Sequence, residues 1–195
     1  MEAFWRDGYD GTSVATLTRR IGISPPSLYA AFGDKRQLFD EAAQLYVRNF
    51  RAVLEECLDA PTARESVARV LERVAISHTE PDMPPGCLVF GEPLLAAERA
   101  RTRDVIAARI ARGRDAGEVP SQASPQELAA FITVMLVGMS ARARDGATRH
   151  ELLAIAATAM NAWPSTLGGQ AARGRRGDPA VLARMTSPRA TLPHK

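Results

Sequence analysis

The side chains with the widest chemical repertoire in this sequence are three histidines, His78, His150 and His194, and two cysteines, Cys57 and Cys87. Nucleophilic or metal chemistry needs such groups converged, and sequence-local metal sites show short, regular ligand spacings. Here they are scattered over separate segments with no such spacing, and no Gly-rich phosphate loop or nucleophile elbow accompanies them. Neither cysteine has the basic sequence neighbours that favour a thiolate. No enzyme, no metal and no cofactor are therefore expected. A different chemistry, anion binding, is written near the N-terminus. Thr12 and Ser13 stand at a helix start with exposed N–H groups, Tyr29 offers a phenol, and Lys35 opens a further helix. A lysine in a first helical turn opposes the macrodipole at a cost of about 0.3–1 kcal/mol, and an anion placed there reverses that sign.

The elements that must position these groups all read as helix, and no stretch alternates in the manner of a strand. Residues 2–7 are helical up to Gly8-Tyr9-Asp10-Gly11, a turn of residues tolerant of left-handed geometry. Thr12 or Ser13 caps a helix running to Ile21, with Val14, Leu17 and Ile21 on one face, and Gly22 closes it. Ser24 caps the next helix, with Pro25 at the first helical position, where its missing N–H costs nothing. Leu28 and Phe32 form its inward face. The other face, Ser24, Pro25, Pro26, Ser27, Tyr29 and Ala30, consists of small groups and one phenol. That low profile suits a helix end entering a DNA major groove about 12 Å wide. The pair joined by Gly22-Ile23-Ser24 is thus a helix-turn-helix candidate. A long helix follows from Lys35 to Leu58. Further helices are expected over 62–79, in a broken form around Pro93, and over 102–118, 125–144 and 148–163.

Charge narrows the function classes. The chain of 195 residues has a net charge of +3, but residues 165–195 hold six basic groups and one acid. Residues 1–164 are left with 19 basic and 21 acidic groups, a net of −2. Binding to a polyanion must then rely on a few placed groups rather than on bulk charge. The longest apolar run, 128–139, is too short to span a bilayer. No leader is apparent, and a soluble, cytoplasmic protein is expected.

The run Gly11-Thr12-Ser13-Val14, then Ile21 through Lys35, then Leu38-Phe39, resembles the DNA-binding signature of the TetR/AcrR family of transcriptional regulators. The resemblance implies an all-α fold: a three-helix helix-turn-helix domain over 1–46, then a helical ligand-binding and dimerisation domain over 47–164. The basic segment 165–195 is expected to be a disordered tail. It also implies a homodimer that represses at a palindromic operator in double-stranded DNA and is released by a small effector. Thr12, Ser13, Tyr29 and Lys35 would meet phosphates. Ser24, Pro25, Pro26, Ser27 and Ala30 would face base edges. The segment 1–7 makes only about 10 Å of helix at 1.5 Å per residue, short for that family. This favours a second reading, a helical dimeric small-molecule binding protein with an impaired DNA-binding module.

Two further sites are expected. A mainly apolar effector pocket would be lined by Leu45, Leu54, Val70, Val74, Phe90 and Leu94, with Cys57, His78 and Cys87 supplying polarity. The last two helices are unusually apolar and need covering on more than one side. Two copies are expected to pair there in a four-helix bundle through Leu128, Ile132, Met135, Leu136, Met139, Leu152, Ile155, Met160 and Trp163.

Overall fold

Capping and prolines set the first elements in the computed structural model, which describes residues 1–165. Helix α1 is Glu2–Gly11, α2 is Val14–Ile21 and α3 is Pro25–Phe32. Ser13 Oγ accepts from the Thr16 N–H at 3.0 Å and Ser24 Oγ from the Ser27 N–H at 3.3 Å, each supplying a partner for an orphan amide. Asp34 does the same for Gln37 at 2.8 Å and launches α4, Lys35–Leu58. Phe4, Leu17, Leu28, Leu38 and Phe39 bury the shared core of this unit. Phe4 meets Phe39 edge to face with ring centroids 5.2 Å apart.

The expected turn at 8–11 is instead a single-residue kink. Gly8 takes φ 71, a left-handed value open to glycine, and the helical turn resumes to Gly11. Thr12 is fully buried beneath it, and its hydroxyl donates to the Gly8 carbonyl at 2.6 Å and the Ala3 carbonyl at 3.3 Å. The hydroxyl expected to meet a phosphate is thus spent inside the protein; Ser13 alone is exposed at that helix start.

The second unit is built on α4, which runs unbroken through both. It continues as α5 (Ala63–Ser77), the single turn α6 (Leu88–Gly91), a 3₁₀ turn (Pro93–Leu95), α7 (Ala96–Asp115), α8 (Pro125–Arg144) and α9 (Arg149–Asn161). The described residues contain no strand. Helix α7 begins at Ala96 rather than at 102, because Glu92 accepts from the Leu94 N–H and the 3₁₀ turn runs straight into it. Its arginine-rich first turns are held by Arg51 on Glu98 (Nε to Oε2, 3.1 Å) and by Arg99, which donates to the Val89 and Glu92 carbonyls. Helix α9 opens on a capping box in which Thr148 and Glu151 exchange hydrogen bonds.

The hairpin of α8 and α9 separates into two faces. Ile132, Leu136, Met139, Leu152 and Met160, expected at a dimer interface, are buried within the protomer against α5 and α7. A side chain already enclosed by its own chain has no surface left for a partner. Leu128, Met135, Ile155 and Trp163 are half-buried. The outward apolar groups are Phe131, Val134 and Val137, with Val134 62% exposed. The i, i+3, i+4 pattern was sound, but an apolar helix has two such stripes, and packing chose which one faces in.

One buried cation ties the turn between α4 and α5. Arg109, 6% exposed, donates to the carbonyls of Leu58, Ala60 and Pro61 and to Ser66 Oγ, with Glu118 3.5 Å away. It satisfies carbonyls that the end of α4 leaves without helical partners. Arg109→Leu should therefore cost about 3 kcal/mol in urea denaturation, whereas Arg112→Leu, exposed on the same helix, should shift stability by less than about 0.5 kcal/mol.

Candidate nucleic-acid interface and effector cavity

Leu28 alone among the α3 side chains is fully buried; it anchors the helix in the N-terminal core. Ser24, Pro25, Pro26, Ser27, Tyr29, Ala30 and Ala31 are exposed, so the helix stands proud of the unit along its length. Ser24 and Ser27 hydroxyls lie 2.9 Å apart at its N-terminal end, each retaining capacity toward an outside group. Tyr29 is 47% exposed. The Lys35 ammonium lies over the Tyr9 ring, 4.2 Å from its centroid. This cation–π contact holds the side chain along the surface, and no acid among the described residues pairs with it. The residues picked out by capping and profile thus lie wholly or partly at the surface, with Thr12 the exception.

A cavity of about 250 Å³ opens beneath this unit. Leu54, Cys57, Val70 and Val74 line it from α4 and α5, together with His78, Cys87 and Phe90. Leu45 and Leu94 do not reach it: both are exposed, 46% and 42%. Their periodicity is compatible with either face, and the bend at Pro93 turns Leu94 outward. Leu136, expected between copies, instead lies on this wall.

No local sequence pattern points to the wall contributed by α1. Met1 and Trp5 line the cavity together with Tyr46 and Phe50 of α4. Trp5 Nε1 donates to the Gly86 carbonyl at 3.1 Å, across 81 positions of chain, and its ring meets Tyr46 at 4.9 Å. The Tyr46 hydroxyl donates to Cys87 Sγ at 3.2 Å and accepts from the Leu88 N–H at 3.3 Å. On the other side, Ser140 Oγ accepts from the Cys87 N–H at 2.9 Å, and Arg144 donates to the Cys87 carbonyl at 3.1 Å. Gly86, at φ 77, must be this close: a Cβ there would lie 2.8 Å from the Ser140 carbonyl oxygen. Glu92 completes the clasp by accepting the Tyr9 N–H at 2.8 Å, an amide that the Gly8 kink deprives of its helical partner.

Burial governs the titration of these groups. It raises both thiols, Cys87 and Cys57, above their ordinary value, so neither is a ready thiolate. Tyr46 is raised as well, by burial and then by Cys87. His78 is lowered to about 4, first by burial and second by the positive field of Arg144. Among the described residues no three His, Cys, Asp or Glu side chains gather to hold a metal ion, and no helix is long and apolar enough to cross a membrane.

Residues 1–42 match the sequence profile of bacterial regulatory proteins of the TetR family. Over 165 residues the chain is 32% identical to the HTH-type transcriptional repressor BdcR of Escherichia coli K12, with 82% of each chain covered. The chain belongs to the TetR family. A second E. coli K12 repressor, ComR, is 29% identical over 178 residues, covering 84% of this chain and 85% of its own. A solved structure of the TetR family regulator CifR, a cysteine mutant with 26-bp operator DNA, superposes with a TM-score of 0.79 at 39% identity, covering 84% of this chain and 92% of that one. This TetR-family chain is accordingly a DNA-binding transcriptional regulator, and its α1 packs on the core of the N-terminal unit through Ala3 and Phe4.

His78 gives the regulator a measurable acid sensitivity. Its folded value of about 4 lies below the ordinary 6.5, so protons bind the unfolded chain preferentially between the two. Stability from this group is complete above pH 6.5 and falls by about 3 kcal/mol as pH drops toward 4. His78→Phe should flatten the decline, read as the difference in urea midpoint between variant and wild type across that range.

Proposed function

We propose that this chain is a homodimeric repressor, released from a palindromic operator when a small, mainly apolar effector fills the cavity under α1 and α4. In this reading 1–46 is the DNA-binding unit and 47–164 the effector and dimerisation unit, acting on DNA in the cytoplasm. The exposed apolar stripe of α8, with Phe131, Val134 and Val137, meets its counterpart in a second copy. The two-fold axis then presents two α3 helices to successive major grooves. Ser24, Pro25, Pro26, Ser27 and Ala30 face base edges; Ser13, Tyr29 and Lys35 contact phosphates on either side. The CifR structure with operator DNA supports this arrangement by likeness.

The observation that carries the release mechanism is the shared wall. Trp5 and Tyr46 line the cavity and at the same time fix α1 and α4; α3 packs on α4 and shares a hydrophobic core with α1. A ligand shifts an equilibrium only by its differential affinity for two arrangements, and one that displaces either ring has such a preference. Couplings of this kind amount to about 1–3 kcal/mol, a 5–150-fold loss of operator affinity. Operator affinity measured by fluorescence anisotropy, with and without a cavity-saturating ligand, tests this; unchanged affinity overturns release.

Two substitutions test the contacts. Lys35→Ala should weaken all DNA sequences alike and reduce the salt slope of log K by about 1, whereas changing Ser27 should alter base preference. A salt slope equal to that of the wild type removes Lys35 from the phosphate contacts. Val134→Arg should give a monomer in sedimentation equilibrium and abolish operator binding, while the far-UV helical signal stays unchanged.

A further inference from the structure

We infer that His78 is the polar anchor of the cavity, and that the ligand it selects is a neutral, mainly apolar molecule bearing a single oxygen function such as a hydroxyl or carbonyl. This rests on reading the cavity as the effector site and names the chemistry that site takes.

The inference follows from which polar groups on the wall are already engaged. The Tyr46 hydroxyl is committed to Cys87 and Leu88, and the Thr102 hydroxyl donates to the Glu98 carbonyl at 2.8 Å. Asn49 is exposed and Ser77 half-buried, so water already serves both. His78 differs. The residue is 4% exposed and lines the cavity, and its Nδ1 is buried without a hydrogen-bond partner among the described residues. The backbone of His78 is held by the Gly86 N–H on its carbonyl, and Phe90 packs against the ring at 6.4 Å, so the imidazole is fixed in place and unsatisfied. A buried polar atom without a partner is uncommon and favours any ligand that supplies one.

Charge decides the rest. No acid lines the cavity, so a cationic ligand has no counter-ion there. The one lysine or arginine on the wall among the described residues, Arg73, is exposed, so an anionic group finds a counter-ion only where water competes for it. Burial and the field of Arg144 keep the imidazole uncharged, so it offers one N–H donor and one acceptor rather than a cation. A desolvated charge is costly in an apolar pocket, whereas a hydroxyl or carbonyl loses little once it is hydrogen-bonded.

The test uses the full chain carrying Trp163→Phe, which leaves Trp5, on the cavity wall, as the remaining tryptophan. Trp5 fluorescence is titrated with octanol, methyl hexyl ketone, octanoate and octylamine. The neutral probes should bind at least tenfold more tightly than the carboxylate and the amine. His78→Phe should weaken the neutral probes by tenfold or more, and His78→Gln, which retains a donor and an acceptor, should restore binding to within about threefold. Melting curves by circular dichroism establish that each variant is folded. Tightest binding of octanoate or octylamine, equal binding by His78→Phe and wild type, or no binding of either neutral probe overturns the inference. Operator affinity in the same samples separates the two readings. His78-dependent binding without loss of operator affinity sustains this inference and overturns release; release by a probe indifferent to His78 does the opposite.

Discussion

The clasp between α1 and the segment 86–92 is the contact on which the rest of the structure depends. Trp5 reaches the Gly86 carbonyl, and Glu92 takes the Tyr9 amide that the Gly8 kink has released. Each of these groups has few alternatives. A buried indole N–H needs an acceptor, and an amide freed inside a helix needs another. Glycine at position 8 opens the helix, and a carboxylate from the other unit closes the gap. The reading helix therefore does not hang on α4 alone, and the two units share polar contacts as well as a helix.

The same segment also reaches the outer layer of the molecule. Cys87 is held by backbone to Ser140 and Arg144 of α8 and by its sulfur to Tyr46 of α4. The chain between α5 and α7 thus joins three bodies: α1 with its reading helix, α4, and the α8–α9 hairpin whose outer stripe is apolar. Packing at this density deforms in discrete steps rather than continuously. A cavity bounded by these contacts is well placed for a small occupant to have a large effect.

Few of the buried polar groups in this protein lack a specific task. Arg109 saturates carbonyls at the end of α4, Thr12 holds the kink, and Ser66 and Ser140 satisfy neighbouring backbone. Against that background the unsatisfied Nδ1 of His78 stands out among the buried polar side chains described. Helix α3 shows the opposite economy: apart from Leu28 it exposes nearly everything, and its surface is small and neutral. Such a face offers a polyanion few charges, in keeping with the zero net charge of residues 1–50.

What was legible in the residues themselves was local. Ser13, Ser24, Asp34 and Thr148 announced helix starts, and Pro25 and Gly22 marked the ends of a two-helix corner, because capping and backbone restriction act within a few positions. The apolar set around Leu54, Val70, Val74 and Phe90 could be grouped for the same reason, since helix period alone puts them on facing sides. Tertiary structure decided which stripe of α8 faces inward, that Thr12 is buried, that Leu45 and Leu94 face solvent, and that Trp5 walls a cavity built mostly by residues 41 or more positions away. Those outcomes depend on which surfaces meet, and helical periodicity leaves two candidate faces wherever a helix is apolar on both. The clasp at Gly8 needs a carboxylate 83 positions distant, and no local pattern encodes that meeting.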